Sequence, residues 1–339
     1  MKDEFYKTGK LPQGVLDTLL QRYTSHNDPL VIVGPGIGRD AAVIDTGGDE
    51  YMVLKADPIT FATDQIGRYA LAVNANDIAC MGGRPRWFLP TVLLPENRTD
   101  DHLVEDIFRQ LSEAASEMGI SIVGGHTEIT YDLNRPVIAG LMVGTVGKEK
   151  LIRDSMGSEG DLLILTKAVA VEGTSLIARE KGKEVLERFG EEFLERAKGF
   201  LFSPGISVVR DAEIAISAGG VKGLHDPTEG GLATGIHEIA RSSGVGFEIW
   251  KERIPVYNET GKLSEYFGID PLGLIASGSL LILAKEDSAD RIINALKKAG
   301  IRGTVIGRAV KAEEGVTVIE EGKKKNLPLF VTDEITKLL

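Results

Sequence analysis

The sequence predicts a mixed α/β protein, α/β or α+β, built as two domains. Its 339 residues exceed what one hydrophobic core comfortably organises. Strand-like apolar runs alternate with helix-like segments through the first half. A polar, glycine-containing stretch, KEKLIRDSMGSEGD, then interrupts the pattern before a new strand begins. The expected domains are therefore 1–149 and 150–339.

Each element has its own signal. LVIV (30–33) and AAVID (41–45) read as strands joined by a glycine-rich turn, and YMVLKAD (51–57) as a third strand. A helix is expected near 67–82. It is apolar on almost every side but interrupted by Asn74, Asn76 and Asp77, so it is buried and its acid needs a partner. Asn74 and Asp77 are three residues apart and share a face; internal hydrogen bonding to backbone and a ligand or metal site are both open readings. WFLPTVLLP (87–95) is a strand. Leu103, Ile107, Leu111, Ala114 and Met118 then recur with helical period, with Thr99 placed to cap the start and Gly119 to take the left-handed position at the end. ISIVGG (120–125) and RPVIAGLMVGTVG (135–147) complete the first half.

The second half carries strands LLILTKA (162–168), SLLILAKE (279–286) and GTVIGRAV (303–310). Helices are expected near 172–181, 183–199, 205–218, 227–242 and 287–299. In HDPTEGGLATGIHEIA (225–240), Asp226 reads as an N-cap, Pro227 as the first helical residue and Glu229 as the third, a capping box. Gly230 and Gly231 inside that first turn would cost near 1 kcal/mol each relative to Ala, so something is expected to approach their backbone closely.

Composition limits the chemistry. A formal net charge of -11 argues against nonspecific nucleic-acid binding. No run approaches the roughly 20 apolar residues of a membrane helix, and MKDEFYKTGK lacks the apolar core of a signal peptide, so a cytoplasmic protein is expected. The single cysteine, Cys80, excludes an intramolecular disulfide or a cysteine-based metal cluster within one chain, and reads as a small buried residue. His26, His102, His126, His225 and His237 form no zinc pattern, and no G-x-S-x-G elbow is present.

GPGIGRDAAVID (34–45) lacks the Lys and hydroxyl of a Walker loop, and its glycines have the wrong spacing for a dinucleotide fingerprint. It is a turn that presents Asp40. Asp57 ends a strand before a proline, Asp77 interrupts the apolar helix, and Asp226 stands in a glycine-rich motif. Four carboxylates in such places suit a hard cation, and with glycine-rich turns nearby they favour Mg-ATP over an enclosed calcium cage. GGHTEI (124–129) could bring backbone close to phosphate; a tight loop closed by Thr127 is the other reading.

GIGRDAAVID, KADPITF, NANDIACMGGRP, IVGGHTEI, HDPTEGGLATGIHEIA and DPLGLIASGSLLI occur in an order that resembles the aminoimidazole ribonucleotide synthetase (PurM) superfamily, most strongly its hydrogenase-maturation branch, the HypE proteins. The resemblance implies a two-domain PurM-like fold, with an N-terminal α/β domain that dimerises through a shared barrel and a C-terminal α/β domain. It implies an ATP-dependent enzyme that phosphorylates an oxygen, often of an amide-like group. It also implies that Asp40, Asp57, Asp77 and Asp226 hold magnesium and the ATP phosphates, while Asn74, Gly124, Gly125, His126 and Thr127 line the nucleotide site.

The departures lie in what is particular to that branch. HypE proteins end in a cysteine carrying a carboxamide, whereas this sequence ends DEITKLL. Glu128 and Ser277 stand where those proteins carry a lysine and a glutamate, and Arg39 replaces one acid of the first loop. Selenophosphate synthetases, with a reactive Cys or selenocysteine near the start, and thiamine monophosphate kinases, with the doubled acid, match less well. The expected function is phosphorylation of an amide-like or small-molecule oxygen; the alternative is a noncatalytic nucleotide-binding scaffold or a partner in hydrogenase maturation. HypE activity with the cysteine supplied in trans is a third reading, and the expected partners are a second copy of the chain and a maturation protein.

Overall fold

A computed structural model describes residues 5–6, 9–24, 28–36, 38–152 and 157–338. Ile37 of the first loop, His26, and residues 153–156 of the polar stretch after 148 lie outside the described residues. Two units are formed, one from Asp28–Gly34 and Asp40–Leu151, the other from Met1–Asn27, Pro35–Arg39 and Ile152–Leu339. The first helix, α1 (Gln13–Tyr23), belongs to the latter, where Arg241 pairs with its Asp17 at 3.3 Å.

The 28–151 unit is one seven-stranded sheet covered by two helices. Its strands are β1 (Val31–Val33), β2 (Ala42–Ile44), β3 (Glu50–Ile59), β4 (Arg84–Pro95), β5 (Ser121–Ile122), β6 (His126–Thr130) and β7 (Val137–Gly147). The order is β1-β2-β3-β7-β4-β5, with β6 also paired to β4; β4 is parallel to β5 and β6, and the other pairings are antiparallel. The turn between β1 and β2 is therefore the strand connection that the glycine spacing predicts.

Period-2 burial shows which sheet face is covered. Val53, Phe88, Ile138 and Met142 point inward and are fully buried. On the other face Trp87 and Leu141 are exposed, with Met52, Leu54, Leu89 and Val143 half-buried beside them. The inner face is covered by α2 (Ile66–Cys80), which buries all but one of its residues, and α3 (Asp101–Met118) packs on α2. The two helices come close at Gly67, where a Cβ would lie 2.9 Å from Gln110 Cβ, and Gln110 Oε1 accepts the Gly67 N–H. The cap of α3 is Asp100, whose carboxylate accepts the Leu103 N–H at 2.8 Å, one residue beyond the expected Thr99; Thr99 instead donates to Pro95 O. Gly119 is left-handed as expected, at φ 65°.

The other unit is also a seven-stranded sheet, ordered β14-β13-β10-β12-β8-β11-β9. The strands are β8 (Leu162–Thr166), β9 (Val221–His225), β10 (Gly246–Trp250), β11 (Leu281–Ala284), β12 (Gly303–Val310), β13 (Val316–Glu320) and β14 (Lys323–Asn326). Its helices are α4 (Val171–Glu180), α5 (Gly182–Phe189), α6 (Glu191–Lys198), α7 (Val209–Ala218), α8 (Gly231–Ser243), α9 (Asn258–Phe267) and α10 (Glu286–Lys298).

Three helix expectations change here. The segment 183–199 is broken by Gly190, whose φ of 85° no helix accommodates. The segment 205–218 becomes helical only at Val209. The capping-box reading at 226–229 is overturned: α8 begins at Gly231, its N-cap is Gly230, and no side chain caps it. Gly230 and Gly231 are consecutive left-handed residues, at φ 82° and 65°; Gly230 is the N-cap and only Gly231 lies in the helical first turn.

Candidate functional site

Strand alternation places Lys55 and Asp57 on the inner face of β3 with Val53, directly under α2. From α2 the buried Asn74 reaches back to the strand. Its Oδ1 accepts the Asp57 N–H at 2.9 Å, and its Nδ2 donates to Asp57 O at 3.1 Å and to Ala70 O at 2.8 Å. Asn74 thus clips the main chain of Asp57 from both sides. The internal-hydrogen-bond reading of this residue describes its contacts.

One turn along the helix, the buried Asp77 faces the same strand. Lys55 Nζ lies 3.3 Å from Asp77 Oδ1 and 3.4 Å from Asp57 Oδ2. One ammonium against two carboxylates leaves the group net negative. Its donor atoms are all oxygen, the set that suits magnesium or another hard cation. Asp40, two residues before β2, approaches the end of the same helix, with a carboxylate oxygen within 4.8 Å of Cys80 Sγ. Cys80 is buried, as its residue type suggested.

Gly140 makes the Asn74 clip possible. It pairs with Asp57 across β3 and β7, and a Cβ there would fall 2.7 Å from Asn74 Nδ2 and 2.4 Å from the Phe88 ring. The same register continues to Pro90 of β4, and Gly125 ends the row, since its Cβ would lie 2.2 Å from Pro90 O. Asp57 and Gly125 are thus separated by three strand spacings, roughly 14 Å. Gly125 has φ 145°, so both the space and the backbone demand glycine. Beyond Gly124 and Gly125, His126, Thr127 and Glu128 are exposed on β6, with His126 Nε2 3.1 Å from Glu128 Oε2.

Asp226 lies in the other unit, buried directly after β9. The loop it opens is held at both ends: His225 pairs with Leu281 of β11, and the Gly230 N–H donates to Asp333 Oδ2 at 2.7 Å. The close approach expected at the two glycines comes from this unit's own chain. A Cβ on Gly230 would lie 2.9 Å from Phe330 O, and one on Gly231 would lie 2.5 Å from Leu272 O. Burial pushes the Asp333 carboxyl up to about 6 despite the three backbone N–H groups it accepts.

The buried Ser277 also has an acid beside it. Glu172, from the first turn of α4, accepts the Ser277 N–H at 3.2 Å, and burial raises its carboxyl to about 7. Lys55, Gly140, Glu172 and Asp333 were all missed from sequence. Lys55 had a usable signal, standing two residues before Asp57 in a strand, and Gly140 is a glycine inside an apolar strand. Glu172 had none, because the Ser277 it meets is 105 residues away in sequence, and Asp333 had only the signal of a local cap for Ile335, with Gly230 and Ile275 far away.

Comparison with known proteins decides the family. The N-terminal domain model of AIR synthase related proteins matches residues 38–146, and the C-terminal domain model matches 158–320. The chain belongs to the AIR synthase related family. A hydrogenase expression/formation protein of Methanocaldococcus jannaschii is 28% identical over 315 residues, covering 90% of each chain. Among solved structures, the HypE–HypF complex matches with a TM-score of 0.74 at 20% identity, over 93% of this chain and 99% of the matched one. HypE in complex with ATP matches at 0.71 and 22% identity, over 98% of each chain. At that identity the likeness shows the PurM-like fold. No helix among the described residues is long and apolar enough to cross a membrane.

Proposed function

We propose that this AIR synthase related chain is an ATP-dependent enzyme that uses Mg-ATP to phosphorylate, and so activate, an oxygen of an amide-like or small-molecule substrate. The observation that carries the reading is the Lys55 ammonium held between Asp57 and Asp77, with Asn74 fixing the strand beneath. The ATP bound in the HypE structure of the same fold supports it. Asp40, Asp57, Asp77 and Asp226 serve as magnesium ligands, and Asn74, Gly124, Gly125, His126 and Thr127 belong to the nucleotide site.

Magnesium, when bound, neutralises phosphate oxygens and steadies the charge that develops during transfer. The chain's own groups do the positioning. Asn74 keeps Asp57 aimed from its strand, Lys55 offers a cation beside the phosphate oxygens, and the bare backbone at Gly124 and Gly125 admits an anion closely. The half-exposed outer face of the 28–151 sheet, with Met52, Leu54, Trp87, Leu89, Leu141 and Val143, is the surface for a second copy of the chain. The HypE–HypF assembly supports a maturation protein as a further partner.

Titration calorimetry with ATP, with and without magnesium, tests the reading. Magnesium-dependent binding that Asp57→Asn abolishes is expected, and absence of binding to the purified chain contradicts it. A noncatalytic scaffold in hydrogenase maturation is the second reading, favoured by the name of the Methanocaldococcus relative and by Glu128 and Ser277 at the altered positions. ATP turnover that disappears in Asp57→Asn rules it out.

A further inference from the structure

The C-terminal segment 327–338 is tied down along its length. His237 Nε2 lies 3.1 Å from Leu327 O, and Thr234 Oγ1 donates to Phe330 O at 3.3 Å, so two residues of α8 hold it. The Phe330 ring lies over Gly273, where a Cβ would fall 2.3 Å from it. Asp333 Oδ2 accepts the Gly230 N–H at 2.7 Å, and Asp333 Oδ1 accepts those of Ile275 at 3.2 Å and Ile335 at 2.8 Å. Glu334 accepts the Asp270 N–H at 2.9 Å. Asp333, Glu334 and Ile335 are buried.

One carboxylate therefore joins three places: the end of the Asp226 loop, the 270–275 loop that precedes Ser277, and the segment's own turn. A buried carboxylate in low dielectric is stable only because those N–H groups satisfy it, and they in turn need it. Glycine at 230 and 231 lets the segment lie directly on the loop, and no side chain caps α8 in its place. The acids that face Asp333 electrostatically are Glu229 of the loop and Glu172 of α4.

We infer that Asp333 is a positioning residue for the loop 226–230: through it the C-terminal segment sets where Asp226 is held, and forms a built part of this unit's ligand site. The inference rests on the Mg-ATP reading for its consequence and on the hydrogen bonds for its cause, and the two are tested separately. In the full chain without nucleotide, Asp333→Asn turns an acceptor into a donor against N–H groups. Hydrogen exchange at the Gly230 amide should quicken at least 10-fold. Mg-ATP affinity should weaken at least 10-fold by calorimetry. Glu334→Ala, which loosens the same segment at Asp270 without touching the α8 end, lowers Tm and leaves Mg-ATP affinity within twofold.

Unchanged exchange at Gly230 in Asp333→Asn overturns the inference, as does unchanged Mg-ATP affinity in a variant whose wild type binds. Equal affinity losses in Asp333→Asn and Glu334→Ala also overturn it, because they reduce the segment to general support. A wild type that binds no Mg-ATP while Asp333→Asn still frees Gly230 contradicts the functional reading and leaves the pinning of the loop demonstrated.

Discussion

Asn74 and Asp57, seventeen residues apart, are joined by two hydrogen bonds that run in opposite directions between one side-chain amide and one stretch of main chain. A buried helix thereby holds β3, which continues through Pro58 to Ile59 instead of ending at Asp57 as expected, and the acid is aimed without using its own carboxylate. Removing the amide leaves the Asp57 N–H and C=O short of partners, which costs about 1–3 kcal/mol per unsatisfied group. Asn74→Ala is expected to lose about 2–4 kcal/mol of stability in urea unfolding. It should also weaken Mg-ATP binding more than tenfold in calorimetry at a temperature where the variant is folded.

Lys55 holds two carboxylates that otherwise repel. Lys55→Met should lower Tm in chelator by several degrees, and adding magnesium should raise the variant's Tm by more than it raises that of the wild type. A magnesium response no larger than the wild type's separates these acids from the metal.

Glu172 gives a pH dependence of definite sign. Its carboxyl is raised by burial from 4.5 to about 7, so between these values the unfolded chain has lost a proton that the folded chain keeps. Stability therefore falls as pH rises through that window. Asp333, raised to about 6, adds a slope of the same sign. In Glu172→Gln the amide oxygen can still accept the Ser277 N–H. The variant should be more stable than wild type at pH 8, by on the order of 1–3 kcal/mol, with little difference at pH 5. Urea midpoints across pH 5–8 read this directly.

Leu141 and Trp87 lie on the apolar outer face of the 28–151 sheet. Leu141→Glu should convert a dimer to a monomer in sedimentation velocity at micromolar concentration while its circular dichroism stays native. A wild-type chain that sediments as a monomer counts against this face as an interface.

Local chemistry was readable from the sequence where the partner is close in the chain. The β1–turn–β2 connection, the buried helix with a polar stripe, and the left-handed Gly119 all follow from neighbours within a few residues. The 225–240 motif shows the limit. Asp, Pro and Glu at cap spacing make a convincing local case for a helix start, but tertiary contacts from Phe330, Asp333 and the 272–274 backbone override it and move the start to Gly231. Gly190 breaks a helix that side-chain periodicity alone would carry through.

At the candidate site the acids were visible as residue types, and their organisation was not. Asp57, Asn74 and Asp77 meet because β3 runs beneath α2, and the Lys55 and Gly140 that complete the group are read from register. Asp226 folds into the other unit, directly after β9.

As proposed, the Lys55–Asp57–Asp77 group belongs to a magnesium-dependent ATP site. Calorimetric titration of ATP into wild type, Asp57→Asn and Asp77→Asn, each with magnesium and with chelator, measures it most directly. Wild type is expected to bind in the micromolar range only with magnesium, and both variants are expected to lose that binding. Binding of equal strength in all three proteins, or binding indifferent to magnesium, would contradict it.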